Sequence, residues 1–119
     1  MTFNVEIVLR DREHAVTERI LHSGNDAPSW TETDVESVLK SILLAVDRLR
    51  NPEPAQGERF VALRGFSWIA EPTEGGVVIA IEIPSGAAVA GPFDIPQPVL
   101  DRLIGRVVAA ASSHRPVVH

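Results

Sequence analysis

The sequence predicts an α+β domain in which two amphipathic helices cover one face of a mostly antiparallel sheet of about five strands. Three observations support this prediction. Two segments repeat their apolar residues at the period of a helix. Several others either alternate apolar and polar residues or are continuously apolar, as strands are. Short turns separate most neighbouring strands. The element order ββαβββα is typical of a two-layer sandwich.

A hairpin is predicted at the start of the chain. Apolar and polar side chains alternate through residues 2–10, and the apolar members are Phe3, Val5, Ile7 and Leu9. This period of two indicates a strand with one buried face. Residues 11–13 suit a tight turn, after which residues 14–22 form either a returning strand, with Val16 and Ile20 on one face, or a short helix. The short spacing between the two apolar runs favours the strand.

The clearest helical signal follows a loop of small and polar residues. Thr31 is a favourable N-cap, and Asp34 three residues later completes a capping-box pattern. Trp30 precedes the cap, as expected for a hydrophobic staple against the first turn. Pro52 ends the helix. Its apolar stripe consists of Val35, Val38, Leu39, Ile42, Leu43, Val46 and Leu49.

A second hairpin is predicted between residues 59 and 83. Its first strand changes apolar parity at Gly65, with Val61 and Leu63 on one side and Phe66, Trp68 and Ala70 on the other. A β-bulge at Gly65 would return all of these residues to one face. The second strand carries apolar residues on both faces, so it is predicted to be central in the sheet and covered on much of both sides.

The last strand and the second helix follow. Residues 87–95 predict a strand that Pro92 either interrupts or confines to the sheet edge, because proline cannot donate a hydrogen bond to a neighbouring strand. The helix is capped by Asp94 or Gln97 and tolerates proline in its first turn. Its apolar stripe consists of Val99, Leu100, Leu103, Ile104, Val107, Val108 and Ala111.

The composition excludes several classes of protein. The chain has 119 residues, which predicts a single domain over residues 1–113 and a frayed tail at 114–119. It has no cysteine, which excludes a disulfide framework, a thiolate zinc site and a thiol nucleophile. The net charge of −5, without a basic stripe, predicts no nucleic-acid binding. No secretory signal is visible, so we expect a cytoplasmic protein, and the excess of arginine over lysine suggests a GC-rich bacterial genome.

The apolar stretch at residues 75–100 matches neither a membrane span nor a nucleotide-binding loop. Glu82 and four prolines interrupt it, so no membrane span is predicted. Residues 86–91 have the glycine spacing of a phosphate loop, but Pro92 and Phe93 replace the required Lys and Ser or Thr.

Metal and nucleophile signals are equally weak. His14 and His22 would lie about 26 Å apart on one strand, and they are expected to be solvated. The chain contains neither H-E-x-x-H nor G-x-S-x-G. We therefore predict no metal, no cofactor and no catalytic residue.

Four residues are candidates for ligand binding: Arg64, Trp68, Glu82 and Asp94. Arg64 lies beside the expected bulge, which can re-aim a side chain towards a site. Glu82 places a carboxylate in an otherwise apolar strand, and Trp68 offers a flat apolar surface nearby. The alternative is structural, with Arg64 and Glu82 pairing across strands and Trp68 filling the core.

The sequence therefore favours no specific reaction, and whether the protein is an enzyme stays open. The first hypothesis is a small non-enzymatic domain that acts through homodimerisation or a protein partner. Two helices can cover only one face of the sheet, while the strands carry apolar residues on both faces, so a second copy is expected to cover the other face. The alternative hypothesis is a small-molecule binder or enzyme with a cleft near Arg64, Trp68 and Glu82.

Overall fold

The computed structural model describes residues 1–52 and 61–113, and it confirms the predicted α+β class and element order. The helices are α1 (Glu32–Arg50) and α2 (Gln97–Ser113), with a short 3-10 turn at Ala27–Ser29. The strands are β1 (Thr2–Leu9), β2 (Val16–Leu21), β3 (Ser67–Thr73), β4 (Gly76–Ile83) and β5 (Gly86–Phe93). They form one sheet in the order β2-β1-β5-β4-β3, and every neighbouring pair is antiparallel.

Both helices pack on the same side of the sheet, which we call the inner face. Helix α1 contacts β1 and β5, and α2 contacts β3 and α1. Every second residue of β1 is buried against this layer, as the alternation predicts. The most deeply buried side chains of the core are Phe93, Ile7, Leu39, Ile42, Ile79, Leu100, Ile104, Val5, Val35 and Val38.

The N-terminus of α1 confirms the predicted capping box. Thr31 is the N-cap, its hydroxyl accepts from the Asp34 backbone, and the Asp34 carboxylate accepts from the Thr31 backbone. Trp30 is buried just before the cap and packs its ring on Phe93, with ring centroids 4.8 Å apart. The start of α2 differs from the prediction, because Pro96 precedes the helix and its carbonyl accepts the first amide hydrogen bonds. Neither Asp94 nor Gln97 is therefore the cap.

Of the two alternatives for the last strand, confinement to the sheet edge is wrong. Strand β5 is the central strand of the sheet, between β1 and β4, rather than an edge. Its pairing with β4 passes from Ala90 opposite Ile79 to Phe93 opposite Val77, so β5 contains one extra residue there. Pro92 lies in this bulge, which explains how a central strand tolerates a residue without an amide hydrogen.

The predicted bulge at Gly65 is also wrong. Gly65 has φ +77° and lies in the loop before β3, which begins only at Ser67. Leu63 is buried although it lies outside the sheet, in the segment before β3. The change of apolar parity therefore reflects this loop. The first hairpin has the predicted second strand, although the connection spans residues 10–15 instead of three residues. Residues 53–60 and the predicted tail at 114–119 lie outside the described residues.

Candidate functional site

The face of the sheet opposite the helices, which we call the outer face, carries the most unusual surface of the protein. No described element packs on it. Four large apolar side chains there are strongly exposed, with Val8 at 46%, Leu21 at 71%, Ile69 at 54% and Val89 at 40%. Single exposed apolar residues are common on protein surfaces, so only a contiguous group of them indicates a site.

Strand register places three of these side chains together, whereas Leu21 lies apart at the corner of β2. Ile69 lies opposite Ala80, and Ala80 lies opposite Val89, so one row crosses three neighbouring strands. Val8 lies opposite Ala87 in the next row. We call this contiguous surface the apolar patch; its members are Val8, Ile69, Val78, Ala80, Ala87 and Val89.

The apolar patch is shallow and concave. A depression of about 330 Å³ lies over its centre, lined by Ile69, Ala80, Ala87 and Val89, with Ser67 and Glu82 at one end. The small alanine side chains leave the space, and the larger Ile69 and Val89 border it. Such a surface fits a broad apolar partner better than a small polar ligand, which needs convergent polar groups.

Charged residues surround the apolar patch in an uneven distribution. Arg10 and Arg19 lie on the half formed by β1 and β2, together with Glu6. Glu71 and Glu82 lie on the half formed by β3 and β4. Arg10 and Glu82 line a common small depression beside Val8 and Ala87, which places both side chains on the outer face.

The structure does not bring the four predicted site residues to one point. Glu82 is exposed on the outer face, whereas Trp68 pairs with Ile81 and packs against the core on the inner face. Asp94 follows the end of β5, while Glu82 lies beside its beginning. Arg64 lies in the loop before β3, and among the described residues no ion pair links it to Glu82.

Arg64 instead borders a cavity of about 580 Å³ beside the last turns of α1. Its lining is mostly apolar, with contributions from Leu43 and Ile83, and Arg50 and Asp47 supply further charges. The C-terminal end of a helix carries partial negative charge, which counteracts the attraction of the two arginines for an anion. The cavity adjoins residue 61, where the described chain resumes.

A buried polar cluster joins the end of β2 to the start of α1. His22 and Asp34 are both buried, and the His22 Nε2 lies 3.1 Å from the Asp34 Oδ1. The Asp34 carboxylate also accepts from the Asn25 amide and side chain at 3.1 and 3.0 Å and from the Thr31 amide and hydroxyl at 3.0 Å. Because an ionised carboxylate only accepts, the His22 Nε2 must carry the hydrogen in this contact.

The electrostatics of Asp34 follow from these contacts. Burial by itself raises the pKa of a carboxyl group, but the hydrogen bonds from Thr31 and Asn25 outweigh it and hold the pKa of Asp34 well below its ordinary range. The indole of Trp30 also donates to the Asn25 carbonyl at 2.9 Å. Every polar contact in this cluster is made to another member of the cluster, so we interpret it as a structural connection between β2 and α1.

Sequence reasoning expected His22 to be solvated, and that expectation was wrong. The signal that could have found it was the period of two in β2. Val16 and Ile20 point to the inner face, and His22 continues the same alternation. Within residues 1–52 and 61–113, no group of three or more His, Asp or Glu side chains could hold a metal ion.

The chain matches no protein-family model, no curated protein and no solved structure. Among the described helices, none has both the length and the apolar character that crossing a membrane requires.

Proposed function

We propose that this protein is a small non-enzymatic domain that functions by self-association, with two copies packing their outer faces together. The observation that carries this proposal is the apolar patch at the centre of a sheet face that none of the described elements covers. Packing it against a second copy would remove Val8, Ile69 and Val89 from water, which is favourable in proportion to the apolar area buried.

The size of the outer face is sufficient for a stable dimer. Five strands about 4.8 Å apart and about 26 Å long give a face of roughly 600 Å². Two such faces would bury roughly 1,200 Å², at the lower end of the range for specific interfaces. A closed two-fold arrangement also leaves no uncovered copy of the face, so association would stop at the dimer.

The alternative of a small-molecule site receives less support from the geometry. Trp68 and Glu82 lie on opposite faces of the sheet, and Asp94 lies at the far end of β5 from Glu82. A binding site requires polar groups that converge on one cavity. Self-association is therefore the function that the arrangement supports best.

Light scattering coupled to gel filtration at low micromolar concentration tests the proposal. We expect the wild-type mass to be twice the chain's 12.9 kDa. Val89→Lys should raise the dissociation constant at least about tenfold, since burying an unpaired ammonium costs more than the 1.4 kcal/mol that a factor of ten represents.

Ala109→Lys is the matched control. Ala109 is exposed on α2, which lies on the other side of the sheet from the outer face. This variant should dimerise as the wild type does. A monomeric wild type at tens of micromolar, or equal losses in the two variants, would contradict the proposal.

A further inference from the structure

We infer that the two copies in this dimer are related by a two-fold axis running along β5, so that the basic half of each outer face lies on the acidic half of the other. This inference rests on the proposed self-association and adds its orientation and its polar recognition pairs. It is drawn from the strand order, the register and the distribution of charge.

The strand order makes β5 the natural position of the axis. Strand β5 is the middle one of five, with β1 and β2 on one side and β4 and β3 on the other. When two faces pack about an axis parallel to β5, β1 lies over the partner's β4 and β2 over the partner's β3. Packed sheets keep their strands within about 30° of each other, which this arrangement satisfies.

The register then pairs opposite charges. A row of outward residues runs across the sheet through Glu6, Val89, Ala80 and Ile69. Arg19 and Glu71 both lie in the next row of outward residues, on the same side of the first row. Each is on an edge strand, two strands away from β5. The axis therefore brings Arg19 of one copy over Glu71 of the other.

A second pair forms on the other side of the row. Glu82 lies on β4 beside Ala87, and Arg10 lies just beyond β1, where its amide bonds the Ser85 carbonyl. Each is one strand from β5, and they are offset along the strands by about 7 Å, which an arginine side chain can span. All four charged residues are exposed in the protomer and available to a partner.

An axis across the strands would give the opposite result. It would place each strand over its own copy, so Glu71 and Glu82 would face the acidic half of the partner. Like charges at an interface are costly, and this cost selects between the two orientations. Glu6, which lies opposite the partner's Ala80 in the favoured orientation, takes part in neither pair.

Complementary charge reversal tests the inference. One variant carries Glu71→Arg and the other carries Arg19→Glu. About the axis along β5, each substitution places like charges over each other, whereas about the axis across the strands the new charge would face its own half, which holds an opposite charge. Each variant alone should dissociate at least about tenfold more readily than the wild type. An equimolar mixture should recover dimers by light scattering and elute from ion exchange as a single one-to-one species.

The outcomes separate the two proposals. Variants that each dimerise like the wild type, or a mixture that stays monomeric, would overturn the inferred axis while leaving self-association intact. A monomeric wild type in the same run would overturn both. Glu36→Arg on α1 is the control for reversal away from the outer face. Should either variant lose its circular-dichroism spectrum, the neutral substitutions Glu71→Gln and Arg19→Gln repeat the test on the same pair, each with a smaller expected loss.

Discussion

Replacing Asp34 by asparagine should lower the free energy of unfolding at pH 7 by about 3–5 kcal/mol, because each buried donor that loses its acceptor costs about 1–3 kcal/mol. The carboxylate accepts five hydrogen bonds, from His22, Asn25 and Thr31. An asparagine offers one accepting oxygen and turns an amide group towards donors that already surround it. Several buried donors would lose their partners, and each loss carries a desolvation penalty.

The same contacts predict a dependence on pH. The pKa of Asp34 is lowered in the folded protein, so its stabilising contribution is fully present above the ordinary aspartate pKa of about 4 and is lost as the pH falls below that value. The difference in free energy of unfolding between wild type and Asp34→Asn should therefore be large at pH 7 and smaller at pH 3. Urea denaturation of both proteins at the two pH values measures it.

Glu36→Gln provides the comparison for this experiment. Glu36 is on the same helix, where it is exposed and forms an ion pair with Lys40 at 3.7 Å. Its removal should change the free energy of unfolding by less than about 1 kcal/mol. If Asp34→Asn cost no more than Glu36→Gln, or if its cost did not shrink in acid, the carboxylate would not be held as the structure indicates.

Phe93→Ala should lower the free energy of unfolding by about 3–5 kcal/mol. Phe93 is 1% exposed and packs between Trp30, at 4.8 Å between ring centroids, and Phe3, at 5.2 Å. The three rings join β1, the end of β5 and the segment before α1. Removing the middle ring leaves a cavity that its neighbours cannot fill, because they belong to different elements held by their own hydrogen bonds.

Urea denaturation followed by far-ultraviolet circular dichroism measures this loss without relying on the fluorescence of Trp30. Leu21→Ala is the control, since a side chain 71% exposed contributes little and should change the free energy by less than about 0.5 kcal/mol. A loss below about 1 kcal/mol for Phe93→Ala would mean that the three rings do not form a packed unit.

The helices were the most predictable part of the fold, because their signals are local. The Thr31–Asp34 capping box confirms a pattern that is complete within four residues. The sequence did not reveal that the Asp34 carboxylate also accepts a hydrogen bond from the imidazole of His22, twelve residues earlier. That contact depends on β2 ending beside the start of α1, which no local pattern specifies.

The sequence predicted that one sheet face is left uncovered by the helices, but it did not predict which residues lie together on that face. Apolar residues on both faces of β4 and β5 predicted a face that the helices leave uncovered. The four residues proposed for ligand binding were chosen by their neighbourhood in sequence, and adjacent strand residues point to opposite faces. Trp68 and Glu82 are consequently on opposite sides of the sheet even though their strands are neighbours.

By itself, the sequence determined the fold class, the element order and the existence of a second apolar face, because period, turn residues and capping residues act over a few positions. The tertiary structure decided that β5 lies at the centre of the sheet, with Pro92 accommodated in a bulge. It also decided which charges flank the apolar patch. These features follow from strand order and register, which depend on how distant segments pack together and not on any segment's own preference.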